Sequence, residues 1–124
     1  MANILIVDDE EKILQVVGTF LSRMGYGVVS ANGGAEALRI ISSGTPLDFM
    51  VIDMRMPDVD GLMVIKQSRA MGRELPMVIL TGTPDTEGYR KMIQCVGASE
   101  GDVLRKPVNL FELLVKVKEK LPAA

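Results

Sequence analysis

The stretch Ile4–Glu11, "ILIVDDEE", joins four apolar residues directly to four acids. The run is too short for a typical helix, and it is apolar throughout, as in a strand covered on both faces of a parallel sheet. Similar runs recur as "GVVSA", "DFMVI", "PMVIL" and "DVLR", each bounded by glycine, proline or acids. Between them lie segments with helical spacing. Ile13, Val16, Val17, Phe20, Leu21 and Met24 fall at three- and four-residue steps before "MGYG" stops the pattern. A second helix runs through Ala35, Leu38 and Ile41, and a third begins at Gly61 with Leu62, Ile65 and Met71. A fourth opens at "TPDTE", with Thr83 as cap and Pro84 in the first turn. The last opens at "NLFE", a capping box of Asn109 and Glu112, and buries Leu110, Leu113, Leu114 and Val117. Strict alternation of strand and helix predicts a three-layer α/β sandwich with a parallel five-stranded sheet and right-handed crossovers.

Composition narrows the functional classes. The chain has 124 residues, 48% hydrophobic and 24% charged, enough for one packed domain over 1–124 without staples. A net charge of −2 gives no bulk attraction to nucleic acid or to an anionic membrane. No apolar run reaches the length of a membrane span, and the first strand starts too early for a signal peptide, so a cytoplasmic location is expected. The single cysteine, Cys95, rules out an internal disulfide. Histidine is absent, which removes imidazole bases, histidine metal ligands and a phosphohistidine relay within this chain. The nine methionines are expected to fill gaps in the core.

In such a sheet, ligands bind at the carboxyl ends of the strands. The first strand delivers Asp8 and Asp9 there, the third Asp53, the fourth Thr81 and the fifth Lys106. Singly, each is an ordinary turn or loop residue; together they place three carboxylates, a hydroxyl and an ammonium along one edge. Two carboxylates ~4 Å apart repel by roughly 4 kcal/mol at an effective dielectric of 20, so three of them call for a cation. Oxygen-only ligation suits Mg²⁺, with Mn²⁺ as the alternative, better than zinc. A carboxylate beside such an ion can act as a nucleophile toward phosphorus, with Thr81 and Lys106 bonding phosphoryl oxygens. Glu10 and Glu11 are expected to start the first helix, where its dipole favours negative charge.

In order and spacing, "ILIVDDEE", "VIDMRMPDVDGL", "VILTG" and "LRKP" resemble the receiver domain of two-component response regulators, and the likeness covers essentially the whole chain. The resemblance implies a flavodoxin-like sheet of order 2-1-3-4-5 with five helices. It implies that Asp53 is the phosphoacceptor. Asp8 and Asp9 would hold Mg²⁺ together with Asp53 and the backbone carbonyl of Arg55. Thr81 would be the switch hydroxyl, and Lys106, joined to Pro107 by a cis bond, would contact the phosphate. The implied partners are a histidine kinase or phosphotransfer protein and a downstream target or separate output domain. Neither nucleic acid nor membrane is expected to bind directly, and the oligomeric state is expected to be open to change on phosphorylation. No enzymatic turnover is expected beyond self-phosphorylation and slow self-dephosphorylation. Three positions depart from the family pattern. Val103 stands where an aromatic residue is usual, "GASEGDVLRKP" is about two residues longer before the last strand, and Gly82 replaces a common alanine. A haloacid-dehalogenase-type phosphatase would need a second acid two residues after Asp53, where Arg55 stands, and a flavodoxin would need a hydroxyl-rich first loop where the acids lie. The remaining alternative is a receiver-like interaction module that is not phosphorylated.

Overall fold

The computed structural model describes residues 1–82, 91, 93–95, 97, 98 and 100–121. Strands β1 (Asn3–Asp8), β2 (Gly27–Asn32), β3 (Phe49–Asp53), β4 (Met77–Thr81) and β5 (Val103–Arg105) form one parallel sheet of order β2-β1-β3-β4-β5. Helices α1 (Glu11–Arg23), α2 (Gly34–Ser42), α3 (Gly61–Ala70) and α4 (Leu110–Lys120) cover it. This is the predicted architecture and strand order. The helix expected from Thr83 begins outside the described residues.

Side chains alternate across a strand, so each central strand feeds two cores. Ile4, Ile6, Phe49, Val51, Val78 and Leu80 pack with Leu14, Val17 and Leu21 of α1 and Leu113 and Val117 of α4. Leu5, Val7, Met50, Ile52 and Ile79 face the other way, onto Ala37 and Ile41 of α2 and Leu62, Val64 and Ile65 of α3. Burial on both faces explains why β1 and β3 read as unbroken apolar runs. Each fully buried Val, Leu, Ile or Phe side chain contributes roughly 1.5–3 kcal/mol.

The apolar faces are narrower than the periodicity suggested. Val16 and Met24 are almost half exposed, and α1 buries Leu14 and Gly18 in phase with Val17 and Leu21 instead. Met50, Met54 and Met56 fill the core as expected, but Met1, Met24, Met63 and Met71 are exposed. Helix ends follow local chemistry. Asn109 Oδ1 accepts the Glu112 amide at 3.1 Å, as the capping box requires. Asp60 Oδ1 accepts the Met63 amide at 2.9 Å and caps α3. The long segment before β5 ends in a single 3₁₀ turn, Glu100–Asp102, held by Lys116 Nζ donating to the Gly101 carbonyl at 2.6 Å and by a Lys120–Asp102 ion pair.

Candidate functional site

Parallel pairing puts the carboxyl ends of all five strands at one edge, and the two-residue period decides where the end residues point. Asp8 is in phase with Ile4 and Ile6, Asp53 with Phe49 and Val51, and Lys106 with Leu104. All three therefore project toward the side of the sheet covered by α1 and α4. Register brings the strand ends level: Asp53 lies opposite Leu80, Thr81 lies opposite Arg105, and the Lys106 amide donates to the Thr81 carbonyl at 2.8 Å.

The result is a buried charge cluster. Asp8 is fully buried, Asp53 is 4% exposed and Thr81 is 2% exposed. Lys106 Nζ bridges the two acids, 3.3 Å from Asp8 Oδ2 and 3.4 Å from Asp53 Oδ1, and lies 3.5 Å from Glu10 Oε1. Asp8 Oδ1 accepts the Glu10 amide at 2.9 Å, and Asp53 Oδ1 accepts the Arg55 amide at 3.4 Å. Asp8 Oδ2, by contrast, is buried without a hydrogen bond and has only the ion-pair contact with Lys106.

One ammonium does not neutralise this set. Burial raises the Asp53 carboxyl to about 6, and the neighbouring Asp8 adds to the rise against the pull of Lys106. Asp8 is also raised, chiefly by burial, with its bond to the Glu10 amide and the Lys106 charge opposing. For Lys106, burial works against the charged form, but Asp8 and Asp53 outweigh it and the net shift is upward.

The expected site residues are thus divided between two overlapping groups. Asp8, Asp53 and Lys106 meet directly, with Thr81 buried at the adjoining strand end. Asp9 is exposed and, with Asp8 and Glu10, offers one carboxylate oxygen each within 4.8 Å of one another; Asp53 is not part of that group. The donors suit a hard divalent cation: they are all oxygens, the set carries excess negative charge, and one buried oxygen lacks a hydrogen bond. Arg55 is exposed beside Asp53, and the Lys106–Pro107 bond is cis.

Glu10 has a second position in the structure beyond the one read from the sequence. Helix α1 starts at Glu11; Glu10 occupies the cap position without a side-chain cap bond and turns its carboxylate to Lys106. The loop after Asp53 is tightly seated. The Gly61 amide donates to the Met54 carbonyl at 3.0 Å, and a Cβ on Gly61 would collide with the Asp53 carbonyl. Asp58 was not singled out by sequence, because its partners, the Gly34 and Ala35 amides, lie 24 and 23 residues away. Asp60 carried a readable signal, an acid directly before the first residue of a helix.

The model of the response regulator receiver domain family matches residues 4–118. Response regulator MprA of Mycobacterium avium is 37% identical over 118 residues, which is 95% of this chain and 50% of that protein. MprA of Mycobacterium leprae is 36% identical over the same length. The chain spans about half the length of the curated relatives it matches. Among solved structures, Vibrio cholerae chemotaxis protein CheY4 superposes with a TM-score of 0.87 at 31% identity, covering 98% of this chain and 99% of that one. Response regulator protein TrrA of Thermotoga maritima, in complex with Mg²⁺-BeF, superposes with a TM-score of 0.81 at 32% identity, covering 98% and 100%.

Proposed function

The chain belongs to the response regulator receiver domain family, and from that premise we propose that it is a phosphoacceptor switch whose acceptor is Asp53. The observation that carries this reading is the bridged, incompletely neutralised pair Asp8–Lys106–Asp53 at the strand ends. Asp53 is nearly buried, and although burial and Asp8 raise its carboxyl to about 6, Lys106 favours the carboxylate that attacks. Its carboxylate oxygen attacks the phosphorus of a partner's phosphohistidine. The new O–P bond forms as the P–N bond breaks, the electron pair leaves with the imidazole nitrogen, and the imidazole takes a proton from solvent. Lys106 already lies within ion-pair distance of the attacking carboxylate and stabilises the charge that the phosphoryl oxygens bring. Thr81, buried at the end of β4, supplies the hydroxyl for one of those oxygens.

Asp8, Asp9 and Asp53, with the Arg55 carbonyl, are proposed to hold Mg²⁺, with Mn²⁺ as a substitute. A bound cation would offset carboxylate repulsion and the charge of the incoming phosphoryl group. The Mg²⁺-BeF complex of TrrA supports this choice of ion. The proposed partners are a histidine kinase or phosphotransfer protein upstream, and a target protein or an output domain downstream. Turnover is limited to self-phosphorylation and slow hydrolysis of the aspartyl phosphate. Among the described residues no helix is long and apolar enough to cross a membrane; we place the domain in the cytoplasm with its kinase's catalytic portion.

The test is incubation with a small acyl phosphate, with and without Mg²⁺, followed by intact-mass measurement. One added phosphate that disappears with chelator and in Asp53→Asn is expected. Equal labelling of wild type and Asp53→Asn would reject Asp53 as acceptor, and no labelling by acyl phosphate or by any histidine kinase tried would favour an unphosphorylated interaction module.

A further inference from the structure

The loop between Asp53 and α3 is fastened at its tip to a different helix. The Asp58 carboxylate accepts the Gly34 amide at 3.2 Å through Oδ1 and the Ala35 amide at 3.0 Å through Oδ2. These are the first two residues of α2, whose amides have no partner within the helix. The backbone of α2 is shaped for this contact. Gly33 adopts φ 107°, and a Cβ there would stand 3.1 Å from Asp58 Oδ2. A Cβ on Gly34 would collide with the Val59 carbonyl and side chain. Two glycines thus let the loop backbone lie directly on the helix start, with Asp58 closing the contact. The bond to the Ala35 amide, followed by those to Val59 and Gly34, holds the Asp58 carboxyl below the usual carboxylate range.

We propose that Asp58 is a positioning residue for the cation and phosphoryl site: its carboxylate fixes the loop that carries Arg55 to the N-terminus of α2. This rests on the phosphoacceptor reading above. Arg55 stands three residues before Asp58, and its amide already bonds the Asp53 carboxylate. The loop is closed at its base by the Gly61–Met54 hydrogen bond and anchored in the core by Met54 and Met56. Asp58 is exposed, so its part in the fold is not that of a core residue. Without its carboxylate the tip loses both bonds to the start of α2, and the Arg55 backbone gains freedom where a cation needs a fixed carbonyl. The coupling is reciprocal. A cation or phosphoryl group that orders the loop must also strengthen the Asp58 bonds to α2, so the Gly34 and Ala35 amides report on the site from another helix.

The experiment compares wild type, Asp58→Ala and Asp58→Asn by amide hydrogen exchange and by melting across a Mg²⁺ titration, without and with beryllofluoride. In wild type, Mg²⁺ with beryllofluoride should slow exchange at Gly34 and Ala35. In Asp58→Ala that slowing should vanish and the Mg²⁺ midpoint should rise about tenfold, and the melting point in chelator should fall by a few degrees, as expected for lost hydrogen bonds to a charged acceptor at a helix start. Asp58→Asn keeps one acceptor oxygen for one of the two amides, and its Mg²⁺ midpoint should fall between those of wild type and Asp58→Ala. Should the alanine variant not fold, Asp58→Ser, a shorter polar side chain without a carboxylate, carries the same comparison. An unchanged Mg²⁺ midpoint in Asp58→Ala, even with faster exchange at Gly34, would make Asp58 a helix cap only and overturn the proposal. An asparagine variant as weak as alanine would overturn it too. A wild type that melts identically with Mg²⁺ and with chelator would overturn the cation site itself, and this proposal with it.

Discussion

Replacing the proposed acceptor should stabilise the metal-free protein. In the native state the Asp53 carboxyl titrates near 6 against an ordinary value of 3.8, because burial and Asp8 disfavour its charge more than Lys106 favours it. Between pH 4 and 6 the native state therefore holds a proton that the unfolded chain has lost. Native stability falls as pH rises through that window and levels off above it. The gap between 3.8 and about 6 corresponds to ~3 kcal/mol at neutral pH. Asp53→Asn removes the charge but keeps the shape, and leaves Lys106 paired with Asp8 and Glu10. In chelator at pH 7.5 the variant should be more stable by about 1–3 kcal/mol, or roughly 4–10 °C in melting temperature for a domain of this size. At pH 4, where wild-type Asp53 is already protonated, the two curves should converge. Added Mg²⁺ should narrow the difference by stabilising wild type. Melting curves by circular dichroism over pH 4–8 measure all of this. A variant that melts at or below wild type at pH 7.5 in chelator, or a gap that persists unchanged at pH 4, would refute the electrostatic argument.

Three further outcomes are expected. Asp9→Ala should lose most of the Mg²⁺-dependent rise in stability, which for wild type at a hundred times the dissociation constant amounts to ~2.7 kcal/mol; an undiminished rise would remove Asp9 from the site. Arg55→Ala should shorten the lifetime of the phosphorylated state severalfold, since a long cationic side chain two residues past Asp53, exposed in this structure, can screen the phosphoryl group from water; decay of a radiolabel at the wild-type rate or slower would reject that role. Phosphoryl mimicry by beryllofluoride should shift backbone resonances strongly over 81–92, most of which lie outside the described residues, and weakly over 102–105 apart from the neighbours of Lys106, because half-buried Val103 has no ring to move and is stiff at χ1; large shifts along β5 and α4 with 81–92 quiet would contradict it.

The fold was legible in the sequence because β1, β3 and β4 are buried on both faces and so must be apolar throughout, while glycine, proline and acids mark where the chain leaves the sheet. Asp8, Asp53, Thr81 and Lys106 were legible for a related reason. In a parallel sheet every strand ends at the same edge, so a polar residue closing an apolar run is a site candidate by position alone. Several features were not. Val16 and Met24 fit the helical period of α1 yet are almost half exposed, since spacing defines a stripe but not how wide a stripe the sheet can cover. Glu10 looked like a helix-start acid, and only the approach of Lys106 from 96 residues away shows its second contact. The bonds from α2 to Asp58 likewise join segments whose sequences do not refer to each other, and their signal, two glycines and an aspartate, is also that of ordinary turns. The 3₁₀ turn and its two lysine contacts arise from the longer segment before β5, where no periodicity existed to read.

Whether Asp53 itself receives the phosphoryl group is decided by chemical trapping. After incubation with acyl phosphate and Mg²⁺, borohydride reduces an aspartyl phosphate to homoserine, and peptide mass spectrometry locates the changed residue. Homoserine is expected at position 53, dependent on Mg²⁺, with Asp8, Asp9 and Glu10 unmodified. Homoserine at any of those three residues with position 53 intact, or no reduction product from protein that has demonstrably gained phosphate, would contradict it.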